Sequence, residues 1–329
     1  MFKYIVKRLG YAILVLLGVS LIIYFLARLM PFNFVEEKIA AMQAGGNAAV
    51  SPEMVEAMYK SYGLVENATF GDILMGYFNW LGDLCRFDLG VSFEFRLPVS
   101  EVIASKMGTS FIVAFIATIF EFLIAIPLGI TAATHQYKLR DYVVTVLVMI
   151  GISLPSFFFG NILKSWLALK LGWFPASGLT NETANMPLIL DWAHHAFIPI
   201  LTVVILSIGA RMRMTRTNML EVMNSDYIRT ARAKGLSEKK VINKHAFRNT
   251  LIPLVTSMAG LLPSLFSGAI ITEQVFDLPG IGNIALQAMN AGDIPFIMGY
   301  NMFLAALSVM GILLADLMYG IVDPRVKLE

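Results

Sequence analysis

One acid lies where an acid is expensive. Glu121 falls near the middle of the apolar run "GTSFIVAFIATIFEFLIAIPLGITAAT", residues 108 to 134. A carboxylate inside hydrocarbon costs roughly 2.5–3.5 kcal/mol on insertion scales, so Glu121 must face protein or water. Two readings follow. It lines a substrate route or meets a cation, or it is a structural hydrogen-bonding group between helices. Lys164 is a poor partner, because counted from the connecting loop it sits about 13 Å deeper along its helix. The pair His194–His195 points in two directions on any regular element, which argues against one shared metal. It reads instead as interfacial histidines at the start of an apolar span. Cys85 is the lone cysteine, so it has no internal disulfide partner and reads as a packed thiol.

Catalytic motifs are missing. The chain has no G-x-x-x-x-G-K-[ST] phosphate loop, no H-E-x-x-H and no G-x-S-x-G. No enzyme activity, ATP site, metal or other cofactor is expected from the chain itself.

The densest chemistry is charge. "DYIRTARAKGLSEKKVINKHAFRN", Asp226 to Asn249, carries seven basic residues against two acidic ones. Tyr227, Ile228, Ala231 and Gly235 recur at helical spacing, with Arg229, Arg232 and Lys234 off that stripe. Gly235 is a natural helix stop. Ser237 suits a following N-cap, Glu238 favours a helix N-terminus, and Leu236 with Val241 could form a hydrophobic staple. The segment therefore reads as helix–Gly–helix. Its charge fits a solvated face, a patch for anionic lipid, or a docking element for an acidic cytosolic partner. No RNA or DNA module surrounds it, so nucleic acid is not an expected partner.

The elements that position these groups are membrane spans. Hydrophobic residues make up 57% of the 329 and charged residues 15%, well below the quarter usual in soluble domains, and mean hydropathy is +0.70. The first run, "LGYAILVLLGVSLIIYFLARLM", follows Lys3, Lys7 and Arg8. It is longer than a signal-peptide core and lacks a small-residue cleavage site, so it reads as an uncleaved first span within residues 1–31. Five further runs lie at about 108–134, 142–169, 196–214, 250–272 and 296–321, each long enough to cross the bilayer. Pro127, Pro155, Pro199 and Pro263 imply kinks. The expected fold is all-α with six transmembrane helices.

Lysine and arginine set the orientation. Ten basic and three acidic residues lie between Arg211 and Arg248, whereas 171–195 and 273–295 contain no Lys or Arg. Both termini and the basic loop, within 215–249, are expected on the cytoplasmic side. Residues 32–107 form an extracytoplasmic segment. In it Ser51 to Gly63 reads as a capped helix, Phe70 to Cys85 as a second, and "MQAGGNAAV" as a flexible joint. Residues 108–329 form the five-helix core.

Several motifs in order are similar to one family. "DYIRTARAKGLS" with H-A-x-R-N, the Tyr77–Ser92 segment Y-x-x-W-L-x-x-L-x-x-x-D-L-G-x-S, E-x-x-F-x-x-P-G-x-G at Glu273–Gly282 and D-x-x-Y-x-x-x-D-P-R at Asp316–Arg325 resemble ABC-importer permeases of the dipeptide/oligopeptide/nickel family. The long external segment resembles the B-type subunit. The resemblance implies the type I ABC importer permease fold, and import of peptides or related small solutes across a bacterial or archaeal cytoplasmic membrane. It implies as partners a homologous permease subunit forming a heterodimer, two cytosolic ABC ATPase subunits and an extracytoplasmic solute-binding protein. The basic loop then corresponds to the EAA-type coupling element, with Asp226, Tyr227, Arg229, Thr230, Ala231, Arg232 and Gly235 making or shaping the ATPase contact. Here Arg229-Thr230-Ala231 stands where Glu-Ala-Ala would be. The alternative is an ion-coupled secondary transporter working without an ATPase, for which Glu121 is the mid-membrane candidate.

Overall fold

A computed structural model describes residues 2–29, 35, 39–40, 42, 55, 69–181 and 186–322. The expected helix from Ser51 to Gly63 and the joint at 42–50 fall outside the described residues, apart from Val55 and Met42. The elements are α1 (Phe2–Arg28), α2 (Phe70–Cys85), α3 (Val99–Thr134), α4 (Leu139–Ser153), α5 (Ser156–Leu163), α6 (Leu188–Met223), α7 (Asp226–Ala233), α8 (Phe247–Met258), α9 (Leu261–Phe266), α10 (Ile270–Phe276), α11 (Ile281–Asn290) and α12 (Ile294–Val322). Wider π-helical turns, Lys164–Lys170 and Val241–Ala246, continue α5 and lead into α8.

Four helices are long and apolar enough to cross a membrane: Val6–Ala27, Val99–Thr134, Leu188–Met223 and Ile294–Met318. Two bent pairs complete six. Leu139–Ser153 with Ser156–Lys170 turns through 101°, and Glu238–Leu251 with Pro253–Phe266 through 44°. The first turn is far sharper than a proline kink. Pro155 cannot donate a helical hydrogen bond and pushes Leu154 into extended backbone, at φ −90° and ψ 136°. Pro127 and Pro199, by contrast, sit inside α3 and α6 without ending them. The 44° bend falls between Leu251 and Pro253, at a proline inside α8 and not at Pro263. A separate interruption at Ala259–Gly260 precedes Pro263, whose missing N–H cannot serve the Ala259 carbonyl. There α12 comes in closely, since a Cβ at Gly311 would overlap the Ala259 carbonyl oxygen.

Two expected boundaries move. Helix α3 starts at Val99, inside the expected external segment, and α6 runs from Leu188 to Met223, so the first residues of the basic loop continue the span. The core of the bundle is the crossing of α3, α4 and α6, built on small residues that let backbones approach. A Cβ on Gly129 would lie 2.8 Å from the Met212 carbonyl oxygen and 2.7 Å from Thr215 Cβ. Ala125, Ala132 and Met212 are buried there, with Leu128, Val144, Val148 and Ile208 around them.

Helix α2 has the expected bounds, opened by a capping box in which Thr69 N–H donates to Asp72 Oδ2 at 3.0 Å and Asp72 N–H to Thr69 Oγ1 at 3.4 Å. It packs on α1 and α12 through Tyr24, Ala27, Tyr77, Ile294 and Met298. Cys85 corrects the expectation of a packed thiol: it is exposed, as the last residue of this surface helix.

Candidate coupling element and the buried polar groups that hold it

Helix α7 is the expected first half of the basic loop. It is amphipathic over two turns: Ile228 and Ala231 are buried, while Asp226, Tyr227, Arg229, Thr230, Arg232 and Lys234 are exposed. Ile228 and Ala231 enter a cluster with Ala133, Met219, Val241 and Ala246, so the helix is anchored to the ends of α3 and α6. Ile228 is thus the anchor, and Tyr227 stands on the outward rim instead of sharing the buried stripe.

Gly235 ends the helix as its position suggests. Its φ is +75°, its N–H donates to the Arg232 carbonyl at 2.9 Å, and no atom lies within 4 Å of an added Cβ. The requirement for glycine is therefore one of backbone conformation. Ser237 takes the N-cap position without a side-chain cap bond. Leu236 packs in the same cluster as Val241, as a staple requires. Glu238 does more than open the next helix. Arg232 Nη2 and Nε donate to Glu238 Oε1 and Oε2 at 2.7 and 3.2 Å, a bidentate clamp across the Gly235 turn. That clamp raises the Arg232 pKa and lowers that of Glu238. Arg229 lies 3.7 Å from Asp226 at the exposed start of α7, and Thr230 Oγ1 donates to the Asp226 carbonyl.

Behind this element stands a buried pair that sequence reading missed. Arg216 on α6 donates to both Asp141 oxygens at 2.8 Å, and Tyr137 N–H donates to Asp141 Oδ2 at 3.1 Å. The pair joins the turn between α3 and α4 to the end of α6. Arg216 counted in sequence as one loop cation among ten, and nothing local marks its partner. Arg8 and Asp316 pair at 3.1 Å between α1 and α12.

Glu121 meets a cation and also ties helices together. Arg211 Nε donates to Glu121 Oε1 at 3.0 Å, and Arg211 Nη1 to Ser257 Oγ at 2.7 Å, linking α3, α6 and α8. The guanidinium lies 4.5 Å from the Phe122 ring centroid. Lys164 is engaged elsewhere, its Nζ donating to the Val275 carbonyl at 2.7 Å.

The opposite end of the bundle uses other chemistry. Buried Glu273 on α10 accepts Ser110 Oγ–H at 2.6 Å, Ala269 N–H at 3.2 Å and Asn283 N–H at 2.9 Å. Ser110 Oγ in turn accepts Ile281 N–H at 2.9 Å. Cβ atoms at Gly268, Gly280 or Gly282 would press on the Glu273 carboxylate, which explains why E-x-x-F-x-x-P-G-x-G needs its glycines. Asp293 accepts Ser92 Oγ–H, Glu94 N–H and Phe296 N–H, pinning the turn before α3 to the start of α12. The two histidines part as expected: His194 Nε2 pairs with the Trp173 carbonyl and His195 Nδ1 with the Asp191 carbonyl. His195 is buried, two turns inside α6. Among the described residues no group of three His, Cys, Asp or Glu side chains is placed to hold a metal.

A bundle of broken and straight apolar helices with an amphipathic helix clamped at one end is the architecture of a membrane permease. Residues 125–328 match the family of binding-protein-dependent transport system inner membrane components, and the chain belongs to that family. It is 35% identical to the oligopeptide transport system permease protein AppB of Bacillus subtilis, over 99% of this chain and 100% of that one. It is 29% identical to the dipeptide transport system permease protein DppB of Escherichia coli K12, over 99% of each. The inward-facing MetNI methionine ABC transporter structure aligns with a TM-score of 0.53 at 19% identity, covering 68% of this chain and 97% of that one; the fold is shared. The protein is thus a multi-pass inner-membrane transport component.

Proposed function

We propose that the chain is the B-type permease subunit of an ATP-driven peptide importer. It forms half of the translocation route beside a homologous subunit, with both termini cytoplasmic. One of two cytosolic ATPases docks on α7, the other on the homologous subunit, and a solute-binding protein delivers substrate at the other end. The oligopeptide and dipeptide permeases to which it is similar support the substrate class. The carrying observation is α7 itself: one face is locked into the bundle by Ile228 and Ala231, the other is open, and the helix is closed by Gly235 and the Arg232–Glu238 clamp. A helix so held passes on a push without bending. The chain carries no phosphate loop, so the energy comes from partner subunits. Glu121, the acid that an ion-coupled carrier would use as a relay, is already paired with Arg211.

The test exploits the open space at Gly235. Gly235→Asn, Gly235→Ala and Gly235→Val add side chains that meet nothing, so their cost rises with aversion to positive φ, reaching roughly 1–2 kcal/mol or more for Val. Uptake and ATPase co-purification should fall in that order while membrane insertion stays normal. Full uptake with full ATPase retention in Gly235→Val would overturn the coupling role.

A further inference from the structure

Helix α2 presents three faces. At about 100° per residue, Ile73, Tyr77, Trp80 and Leu81 share an arc of roughly 100°, and these residues pack on α1 and α12. Phe70, Leu74, Phe78 and Cys85 share the adjoining arc of about 80°, with Met75 some 60° beyond it. All five are exposed, Phe70 by 72%, Met75 by 64% and Phe78 by 58%. Asp72, Asn79 and Asp83 form a strip about 40° wide, roughly 160° round from Leu74, and are exposed as well. Large apolar side chains left open in a row need a cover.

The level of the helix says what the cover is. Its packed face meets Tyr24 and Ala27 at the end of the span Val6–Ala27, and Ile294 and Met298 at the start of the span Ile294–Met318. Tyr77 Oη and Ser20 Oγ lie 3.1 Å apart. The Tyr24 ring stands edge-on to Tyr77 at 5.5 Å and tilted to Trp80 at 5.8 Å. Two apolar spans therefore end against α2, at the end of the bundle away from α7. Tyr and Trp gather at that depth, where a ring keeps its body in lipid and its polar tip wet. A helix there with one exposed face apolar and another polar is built to lie in the plane of the interface.

We propose that α2 is an interfacial anchor: Phe70, Leu74 and Phe78 enter the acyl boundary of the leaflet opposite α7, and Asp72, Asn79 and Asp83 stay in water. The helix contains no Lys or Arg, so apolar burial holds it there and not attraction to anionic headgroups. The chain just after it is tied to the start of α12, through Ser92 and Glu94 on Asp293. Together the anchor and that tie keep the surface before α3 at a fixed height over the spans. The anchor needs only the membrane setting and stands whether or not the solute is a peptide.

The experiment uses the native thiol as its reporter. The assembled transporter is spin-labelled at Cys85 in nanodiscs of zwitterionic phosphatidylcholine, where both membrane faces are open to the medium. Phe78→Cys, Asn79→Cys and Asp83→Cys, each with Cys85→Ser, supply three further positions. Collision with oxygen, which concentrates in lipid, is compared with collision with a water-soluble nickel chelate. Oxygen should dominate at positions 85 and 78 and the chelate at 79 and 83, with ratios that differ several-fold between the two pairs. Chelate dominance at all four positions would put the helix in water. Shielding of 85 and 78 from both reagents would put it under protein, a homologous subunit or a solute-binding protein. Either result overturns the anchor. In a second arm Phe78→Glu should lower the oxygen preference at Cys85 several-fold, while Phe78→Trp and, on the wet strip, Asn79→Asp should keep it. An unmoved ratio in Phe78→Glu also overturns the anchor.

Discussion

The two ends of the bundle satisfy their acids differently. At the α7 end Asp141 is held by Arg216, Glu121 by Arg211 and Asp316 by Arg8. At the other end Glu273 and Asp293 are held by hydroxyls and backbone N–H groups, and Asp191 by Asn181 N–H and His195. The bias that keeps Lys and Arg out of translocated loops explains the division. Residues 171–195 and 273–295 contain none, so a buried carboxylate there must be met by the chain's own amides. Ion pairs allow helices to be joined side chain to side chain. An amide cradle fixes the path of the backbone, and it requires glycines wherever a Cβ would enter it. One end of the molecule is accordingly a set of clamped helices, and the other a set of tightly determined turns.

The largest effect should come from orphaning an acid at the clamped end. Arg216→Leu leaves Asp141, with a side chain 5% exposed, facing an apolar neighbour. Breaking a buried pair by removing one partner typically costs about 3–5 kcal/mol. Thermal unfolding of the detergent-solubilised protein should show that loss, and Asp141→Asn added to it should restore a substantial part. A double variant no more stable than Arg216→Leu would mean that the pair is not what holds α4 to α6.

The matching change at the amide-held end should cost less, because it removes no counter-charge and Glu273 keeps the Ala269 and Asn283 N–H donors. Ser110→Ala removes one donor to Glu273 and strands Ile281 N–H, for roughly 1–3 kcal/mol. Ser110→Thr keeps the hydroxyl and should recover part of the loss. A cost above that of Arg216→Leu would reverse the ranking of the two ends.

These contrasts also mark what could be read without coordinates. The apolar runs, the helix from Phe70 to Cys85 and the stop at Gly235 rest on local chemistry: span length, a helical apolar stripe, and one residue that tolerates positive φ. The partner of Glu121 was not legible, because Arg211 is 90 positions away and faces it through the crossing of α3 and α6 at Gly129. The 101° turn at Pro155 looked like an ordinary kink, since a proline removes a hydrogen bond but does not say where the next helix packs. Glu273 stood in a recognised motif whose glycines had no stated purpose until the carboxylate was seen between them. Local rules carried through; pairings across the bundle required the fold.

The smallest effect tests a clamp that lies in water. Arg232 and Glu238 are 39% and 55% exposed, so their pair contributes under about 1 kcal/mol and is weakened by salt. Hydrogen bonds from Arg232 hold the Glu238 carboxyl below its ordinary value of 4.5. A depressed folded-state pKa means that the contribution is complete above that ordinary value. It is lost as pH falls through the lower folded one. Hydrogen exchange over α7 and the Gly235 turn should therefore be slower in the wild type than in Glu238→Gln at pH 7 and low salt. The difference should shrink in high salt and vanish below the folded-state value. A difference that persists in acid would show that Glu238 steadies the turn by its position at the helix N-terminus and not through Arg232. The clamp would then differ in kind from the three ion pairs behind it, and the division between the two ends would stop short of the coupling element.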